Sequence, residues 1–396
     1  MKFRIERVEL RRITMALVAP FVTSSGSETT RDVLLVGVEL VDASQRTSAG
    51  RSAATSAADT LMGWGECVAL TEPTYTAEYV DGAQQVMIDH LVPRLLAAGA
   101  IEAGDVARVL AVVRGHPMAK SALEMAVLDA QLRSAGLSLA AFLGVERTRI
   151  PSGVSVGLHA HIDDLLETVQ GYIDDGYMRI KLKIEPGRDL EQVAAVRDLI
   201  GSTTPLQVDA NAAYRRTDGS HLAHLDAFDL LLIEQPLPDD DLLGHARLAA
   251  EIATPICLDE SLVSAVSTTD AIELGACEIA NIKPGRVGGY LEAVRIHDLC
   301  LAKGIPAWCG GMLETGIGRA ANVALAALPG FTLPGDISAS TRFYARDIVT
   351  DPIAIAEGHV SVPTGPGLGF ELDWDVVDSV TTSRVQIDRR GTVSHL

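Results

Sequence analysis

The second half of the chain alternates short apolar runs with amphipathic segments at a nearly constant interval. Eight runs read as strands: IPSGVSVGL, MRIKLKI, PLQVDA, LLLIEQ, PICLDE, EIANIK, PAWCGG and FTLPGDI. The segments between them, such as DLEQVAAVRDLIG and GYLEAVRIHDLCLAKG, carry apolar residues at helical spacing. Six of the runs end on, or just before, a polar or ionisable residue: Lys183, Asp209, Glu234, Asp259, Lys283 and Asp336. The first five are separated by 26, 25, 25 and 24 residues, and the last gap of 53 spans two periods with IPAWCGG midway. A period of about 25 residues is one strand, one helix and two loops of a parallel α/β fold. Eight strands in this order predict a (β/α)8-type barrel, and a polar residue at the same end of each strand predicts one shared site at its C-terminal mouth. No GxGxxG or GxxxxGK[ST] loop appears, which weakens an open nucleotide-binding sheet.

The first part of the chain follows a different pattern. KFRIERVEL alternates with the period of a strand, RDVLLVGVEL is a second strand, and LMGWGECVAL a third. APFVTSSGSETT between the first two is a loop by composition. Residues 42–60 hold almost no large apolar side chain and are expected to form a mobile hairpin extension. Helical spacing dominates residues 76–143. Strands followed by helices, ahead of the repeat, predict a separate α+β capping domain. The expected organisation is a capping domain at 1–135, a barrel at 136–345, and a Pro/Gly-rich C-terminal segment at 346–396 that returns to the cap. The fold class is therefore α/β, a modified TIM barrel with an α+β cap.

Composition narrows the function. With 396 residues, 47% of them hydrophobic, the chain can build a barrel of about 250 residues plus a second domain. A net charge of −19 argues against nucleic acid or an anionic membrane as partner. The five cysteines contain no CxxC pair and read as small core residues. MKFRIERVELRRI has no signal-peptide core, and no run reaches the roughly 18 apolar residues of a membrane span. A cytoplasmic protein, acting as a homo-oligomer on a small molecule, is expected.

The strand-end residues imply a chemistry. Lys181 and Lys183 are two apart on one strand and share a face, and two like charges there are expected to lower the pKa of each. Asp209, Glu234 and Asp259 line three consecutive strand ends. Three oxygen donors without His or Cys suit a hard cation, Mg2+ first and Mn2+ next. A helix N-cap explains one such acid easily and three in register poorly. Lys283 lies across the barrel from Lys181 and Lys183. A cation between opposed lysines would hold a carboxylate substrate with its α-carbon exposed to a base on each side, and would stabilise the developing enolate. His297 and Arg295 read as helix-surface groups, Glu66 as a local cap or pair, and Asp336 as an N-cap or a hydrogen-bond partner.

KLK, VDAN, IEQP, LDES and NIKPGRVGG, in this order and spacing, resemble the enolase superfamily, and the lysines on both sides resemble its muconate-lactonizing subgroup. APFVTS, GWGECVA, TEP followed by Tyr75, WCGGMLETGIGRAANVALAALPGFTLPGD and PTGPGLG resemble the o-succinylbenzoate synthase / N-succinylamino acid racemase family. The resemblance implies Mg2+-dependent α-proton abstraction, with Lys183 as base on one face, Lys283 as acid/base on the other and Lys181 as a modulating partner. It implies Asp209, Glu234 and Asp259 as metal ligands, and Asn211, Ser155, Tyr75, Met312 and Phe343 along the substrate pocket. Arg286, also assigned to the substrate-binding set, matches an arginine associated with racemase activity. Dipeptide epimerisation and muconate cycloisomerisation use the same two lysines and stay as alternatives. Mandelate-type enzymes would place His on the seventh strand, where this chain has Trp308-Cys309-Gly310. A non-catalytic barrel is disfavoured because all three acids and all three lysines are present.

Overall fold

The computed structural model describes residues 2–23, 26–43 and 60–396. Of the expected hairpin extension at 42–60, residues 44–59 lie outside the described residues. An antiparallel sheet forms the cap, ordered Val393–His395, Thr381–Asp388, Phe3–Thr23, Gly26–Asp42 and Leu61–Cys67, with Ala100–Ile101 also paired to Phe3–Thr23. The C-terminal strand Thr381–Asp388 thus lies beside the first strand of the chain. Helix Pro117–Ala135 packs on this sheet at close range. A Cβ at Gly63 would stand 2.2 Å from the Ala126 carbonyl, and one at Gly65 would stand 2.2 Å from the Ala122 carbonyl. The GWG sequence of the third strand therefore fits the alanine-rich face of the helix, and a larger residue at either glycine would push the two apart.

Of the stretch 19–30, expected to be a loop, residues 19–23 and 26–30 are strand, at the far end of two long paired arms. Phe21 pairs with Glu28 and Val22 with Ser27, beyond an irregularity between Ala16 and Phe21. Such an irregularity bends a ribbon without ending it, and the Thr and Val side chains on both arms suit extended backbone. The bent tip reaches the barrel, where Leu158 N donates to Val22 O at 3.0 Å and Val18 N to Phe343 O at 2.9 Å.

Seven short parallel strands follow in chain order: Gly153–Val156, Arg179–Lys183, Leu206–Asp209, Ile233–Glu234, Ile256–Leu258, Ile279–Ile282 and Ala307–Cys309. The eighth run, FTLPGDI, is not a regular strand. It closes the barrel through single bridges, Phe331 to Ala307 on one side and Gly335 to Ser152 on the other. Pro334 lacks the N–H that a continuous ladder needs there. The architecture is a modified TIM barrel with an α+β cap. Leu232, Cys257, Ile279 and Trp308 form a small buried cluster of their own. By strand alternation Leu232, Cys257 and Ile279 share the face of Glu234, Asp259 and Lys283, so an apolar plug lies beneath the polar mouth.

Candidate active site

Strand register sets the site. Lys183 lies opposite Asp209, and Asp209 opposite Glu234, which brings a lysine and two acids to one level of the barrel. The backbone turns sharply just past two of these acids, with Asn211, Ala212 and Gln235 at φ of 41°, 62° and 39°. Non-glycine residues held there are a feature of functional loops. The Gln235 turn is fastened by its amide oxygen, which accepts from Asp259 N at 3.0 Å and Ser261 N at 3.2 Å.

Each acid is buried against cations. Lys183 Nζ lies 2.7 Å from Asp209 Oδ2 and also donates to Asn211 Oδ1. Lys181 Nζ lies 3.1 Å from both Asp209 Oδ2 and Glu234 Oε2. Asn281 Nδ2 donates to the second oxygen of Glu234 at 2.7 Å. Across the barrel, Lys283 Nζ meets Asp259 Oδ2 at 2.8 Å, Arg286 pairs with Asp259 Oδ1, and Tyr75 OH donates to Asp259 at 3.2 Å. Burial alone would raise the carboxyl of Asp209, yet Lys183 and Lys181 hold it well below the usual range. Glu234 is raised, by burial and then by the charge of Asp209.

The expected lowering of Lys181 by its neighbour does not occur. Burial works in that direction, but Asp336, Glu234 and Asp209 outweigh it and keep the ammonium charged. The sequence pattern displays the adjacent Lys183 and the strand-end acids, but not that three of those acids close on Lys181. Lys283 is likewise held charged: burial is outweighed by Tyr75, Glu260, Glu234 and Asp209.

Above these residues opens a cavity of about 550 Å3. Lys183, Asn211, Glu260 and Lys283 line it, together with Tyr75, Met312 and, from the tip of the cap hairpin, Phe21 and Ser27. Three residues expected at the pocket do not line it. Arg286 is fully buried and donates to Leu262 O at 3.1 Å and Asn281 O at 2.7 Å. Ser155 sits beside Lys181 in the sheet, and Phe343 packs edge-on against Phe21 at 6.0 Å.

Other sequence expectations also change. His297 is buried, and its Nε2 accepts from Gly330 N at 2.9 Å, so it fastens the loop before the eighth run. Glu66 acts across the whole chain, accepting from Thr315 N at 2.9 Å and Gly318 N at 3.1 Å at the start of helix Gly316–Ala326. Glu260 was missed as a site residue. It follows Asp259 directly, where strand alternation would turn it away; the chain has left the strand by then, and Glu260 accepts from Asn211 Nδ2 at 3.0 Å.

The chemistry of the donor set suits a hard divalent ion: three buried carboxylates, two of which already share one cationic group. Here the shared cation is an ammonium. Lysines and an arginine are paired with all three acids, and among the described residues no group of three His, Cys, Asp or Glu side chains is arranged to hold a metal while those pairs persist.

Comparison with known proteins gives the family. The family profile described as enolase C-terminal domain-like matches residues 164–376, and that of the mandelate racemase / muconate lactonizing enzyme N-terminal domain matches residues 7–144. The chain belongs to the mandelate racemase / muconate lactonizing enzyme family of the enolase superfamily. Enzymes of this family generally use Mg2+. An N-succinylamino acid racemase from Amycolatopsis sp. is 57% identical over 97% of this chain and 99% of its own. An o-succinylbenzoate synthase from Bacillus subtilis (strain 168) is 44% identical over 98% of this chain and 99% of its own. A solved enolase-superfamily structure from Listeria innocua superposes with a TM-score of 0.89 at 37% identity, covering 98% of this chain and 100% of its own. No helix among the described residues is long and apolar enough to cross a membrane.

Proposed function

We propose that this protein abstracts the α-proton of a carboxylate substrate, racemising N-succinylamino acids and forming o-succinylbenzoate by syn-dehydration. One observation carries the reading: two amines, Lys183 at the end of one strand and Lys283 just past the end of another, line the same cavity. An α-carbon placed between them presents one face to each. In racemisation, the neutral amine of Lys183 takes the α-proton and the Lys283 ammonium returns a proton to the opposite face; the antipode uses the lysines in reverse. In syn-dehydration one lysine suffices. It takes the α-proton and returns it to the departing hydroxyl, which leaves as water, while the other ammonium stabilises negative charge. Arg286 holds the other oxygen of Asp259, Tyr75 contacts both Asp259 and Lys283, and together they fix where Lys283 rests.

Asp209, Glu234 and Asp259 would hold Mg2+, or Mn2+ in its place. When bound, the ion would supply Lewis-acid stabilisation of charge on the substrate carboxylate. The names of the relatives at 57% and 44% identity support the two reactions. Dipeptide epimerisation is disfavoured, because Asp336, the acid that would receive a substrate amine, is already engaged by Arg179 and Lys181. Self-association belongs to the same proposal and is supported by the exposed side chains of Val263 and Val266; cytoplasmic placement goes with it.

The test is isotopic. Incubation with N-succinylphenylalanine, Mg2+ and D2O is expected to place deuterium at the α-carbon of either enantiomer, read by NMR. Absence of exchange, together with no o-succinylbenzoate formed from its hydroxycyclohexadiene precursor, rejects the proposal.

A further inference from the structure

Proton transfer as described leaves one buried ionic group at the mouth without a task. Arg179 is fully buried and donates to Asp336 Oδ1 and to Pro334 O, each at 2.8 Å. The other oxygen of Asp336 lies 2.5 Å from Lys181 Nζ. Both cations stack over Trp308, with Lys181 Nζ 4.9 Å and the Arg179 guanidinium carbon 5.2 Å from the ring centroid. Gly153 makes room for the arrangement, since a Cβ there would stand 2.5 Å from the guanidinium carbon of Arg179.

Lys181 therefore has three anionic neighbours, and they are not equivalent. Asp209 and Glu234 lie at 3.1 Å and are the acids assigned to a divalent cation, whereas Asp336 is closer and is itself fastened by Arg179. Without Asp336 the ammonium would settle wholly between Asp209 and Glu234 and compete with the ion for their oxygens. A carboxylate on the irregular eighth segment, locked by an arginine from the second barrel strand, pulls the ammonium the other way. An ammonium fixed this way keeps its place when a second cation enters.

We infer that Asp336, anchored by Arg179, is a positioning residue that draws Lys181 aside and keeps Asp209 and Glu234 available to a divalent cation. The inference rests on the assignment of those acids as metal ligands. It gives Asp336 a part in metal affinity that is separate from proton transfer.

Titration calorimetry of the full chain with Mg2+, in the absence of substrate, tests it. Asp336→Asn keeps the shape and an acceptor for Arg179, and is expected to weaken Mg2+ binding about tenfold or more. Adding Lys181→Met to that variant removes the competing ammonium and is expected to restore the affinity. Lys181→Met alone, which spares the Arg179–Asp336 pair, is expected to bind Mg2+ at least as tightly as the parent. Unchanged affinity in Asp336→Asn, or no recovery in the double variant, overturns the inference, as does weaker binding by Lys181→Met alone. A parent chain that binds no Mg2+ overturns the metal assignment as well, so the two failures are distinguishable.

Discussion

Two groups of buried carboxylates in this molecule stand in contrasting settings. At the barrel mouth, Asp209 and Asp336 face lysine and arginine. In and around the cap, Glu66, Glu78 and Glu124 face backbone N–H groups at helix starts: Glu66 at Thr315 and Gly318, Glu78 at Met118 and Ala119, Glu124 at Leu291. Burial pushes every one of these carboxyls up. The full charges at the mouth overcome that push and hold Asp209 and Asp336 well below the ordinary range. Backbone dipoles do not, and the three glutamates of the cap rise to about 7. Glu234 and Glu260 depart from this pattern at the mouth: burial raises both, to about 7 in Glu260, and the charge of Asp209 adds to the push although Lys283 opposes it at both and Lys181 at Glu234. The difference shows what each region requires. The mouth keeps anions ready for a cation, whereas the cap uses carboxyls as hydrogen-bonding plugs whose charge is a liability near neutral pH.

The largest expected effect breaks the mouth. Lys283→Ala should lower racemisation of N-succinylphenylalanine by about three orders of magnitude, followed by polarimetry, because one face of the α-carbon loses its proton donor. Asp259 keeps Arg286 as a charge partner, so the variant should stay folded by circular dichroism. Full racemase activity in Lys283→Ala would contradict the two-base assignment. A smaller effect of another kind should follow at the cap. Glu66→Ala strips the acceptor from Thr315 N, Thr315 Oγ1 and Gly318 N, and should cost about 2 kcal/mol in chemical denaturation while α-proton exchange continues in the folded fraction. Lost exchange with unchanged stability would reverse the roles assigned to the two regions.

The barrel was legible in the sequence because strand and helix periods repeat, and the acids and lysines because they stand at strand ends in register. What stayed hidden depended on partners distant in sequence. Asp336 reads equally as an N-cap or a hydrogen-bond partner until Arg179, 157 residues away, is placed beside it. Glu66 resembles a local cap until it meets Thr315, 249 residues away. His297 looks exposed on a helix whose charged neighbours are exposed, yet it faces Gly330. Residues 19–23 and 26–30 suggest a loop by their polar composition, whereas β-branched residues paired across a bent ribbon extend the strands. Periodicity reports which face a residue takes, and it is silent on which charge waits there.

The smallest expected effect sharpens the comparison by pH. Glu78 accepts from Met118 N and Ala119 N at 2.8 Å each, and burial raises its carboxyl from 4.5 to about 7. Between those values the folded chain binds more protons than the unfolded one. The stability that Glu78 contributes is therefore fully present below its unfolded pKa of 4.5 and is lost as the pH rises through about 7. Glu78→Gln removes that titration and keeps one acceptor for the helix start. The variant should gain on the parent as the pH rises from about 5 to about 8, by something on the order of 1 kcal/mol, read from urea midpoints. The sign separates the settings, because a carboxylate lowered by lysines would lose stability as pH falls, and its amide variant would fare relatively better in acid. Parallel pH dependences for parent and Glu78→Gln would mean that the backbone donors at the start of Pro117–Ala135 hold the carboxylate charged, as lysines do at the mouth.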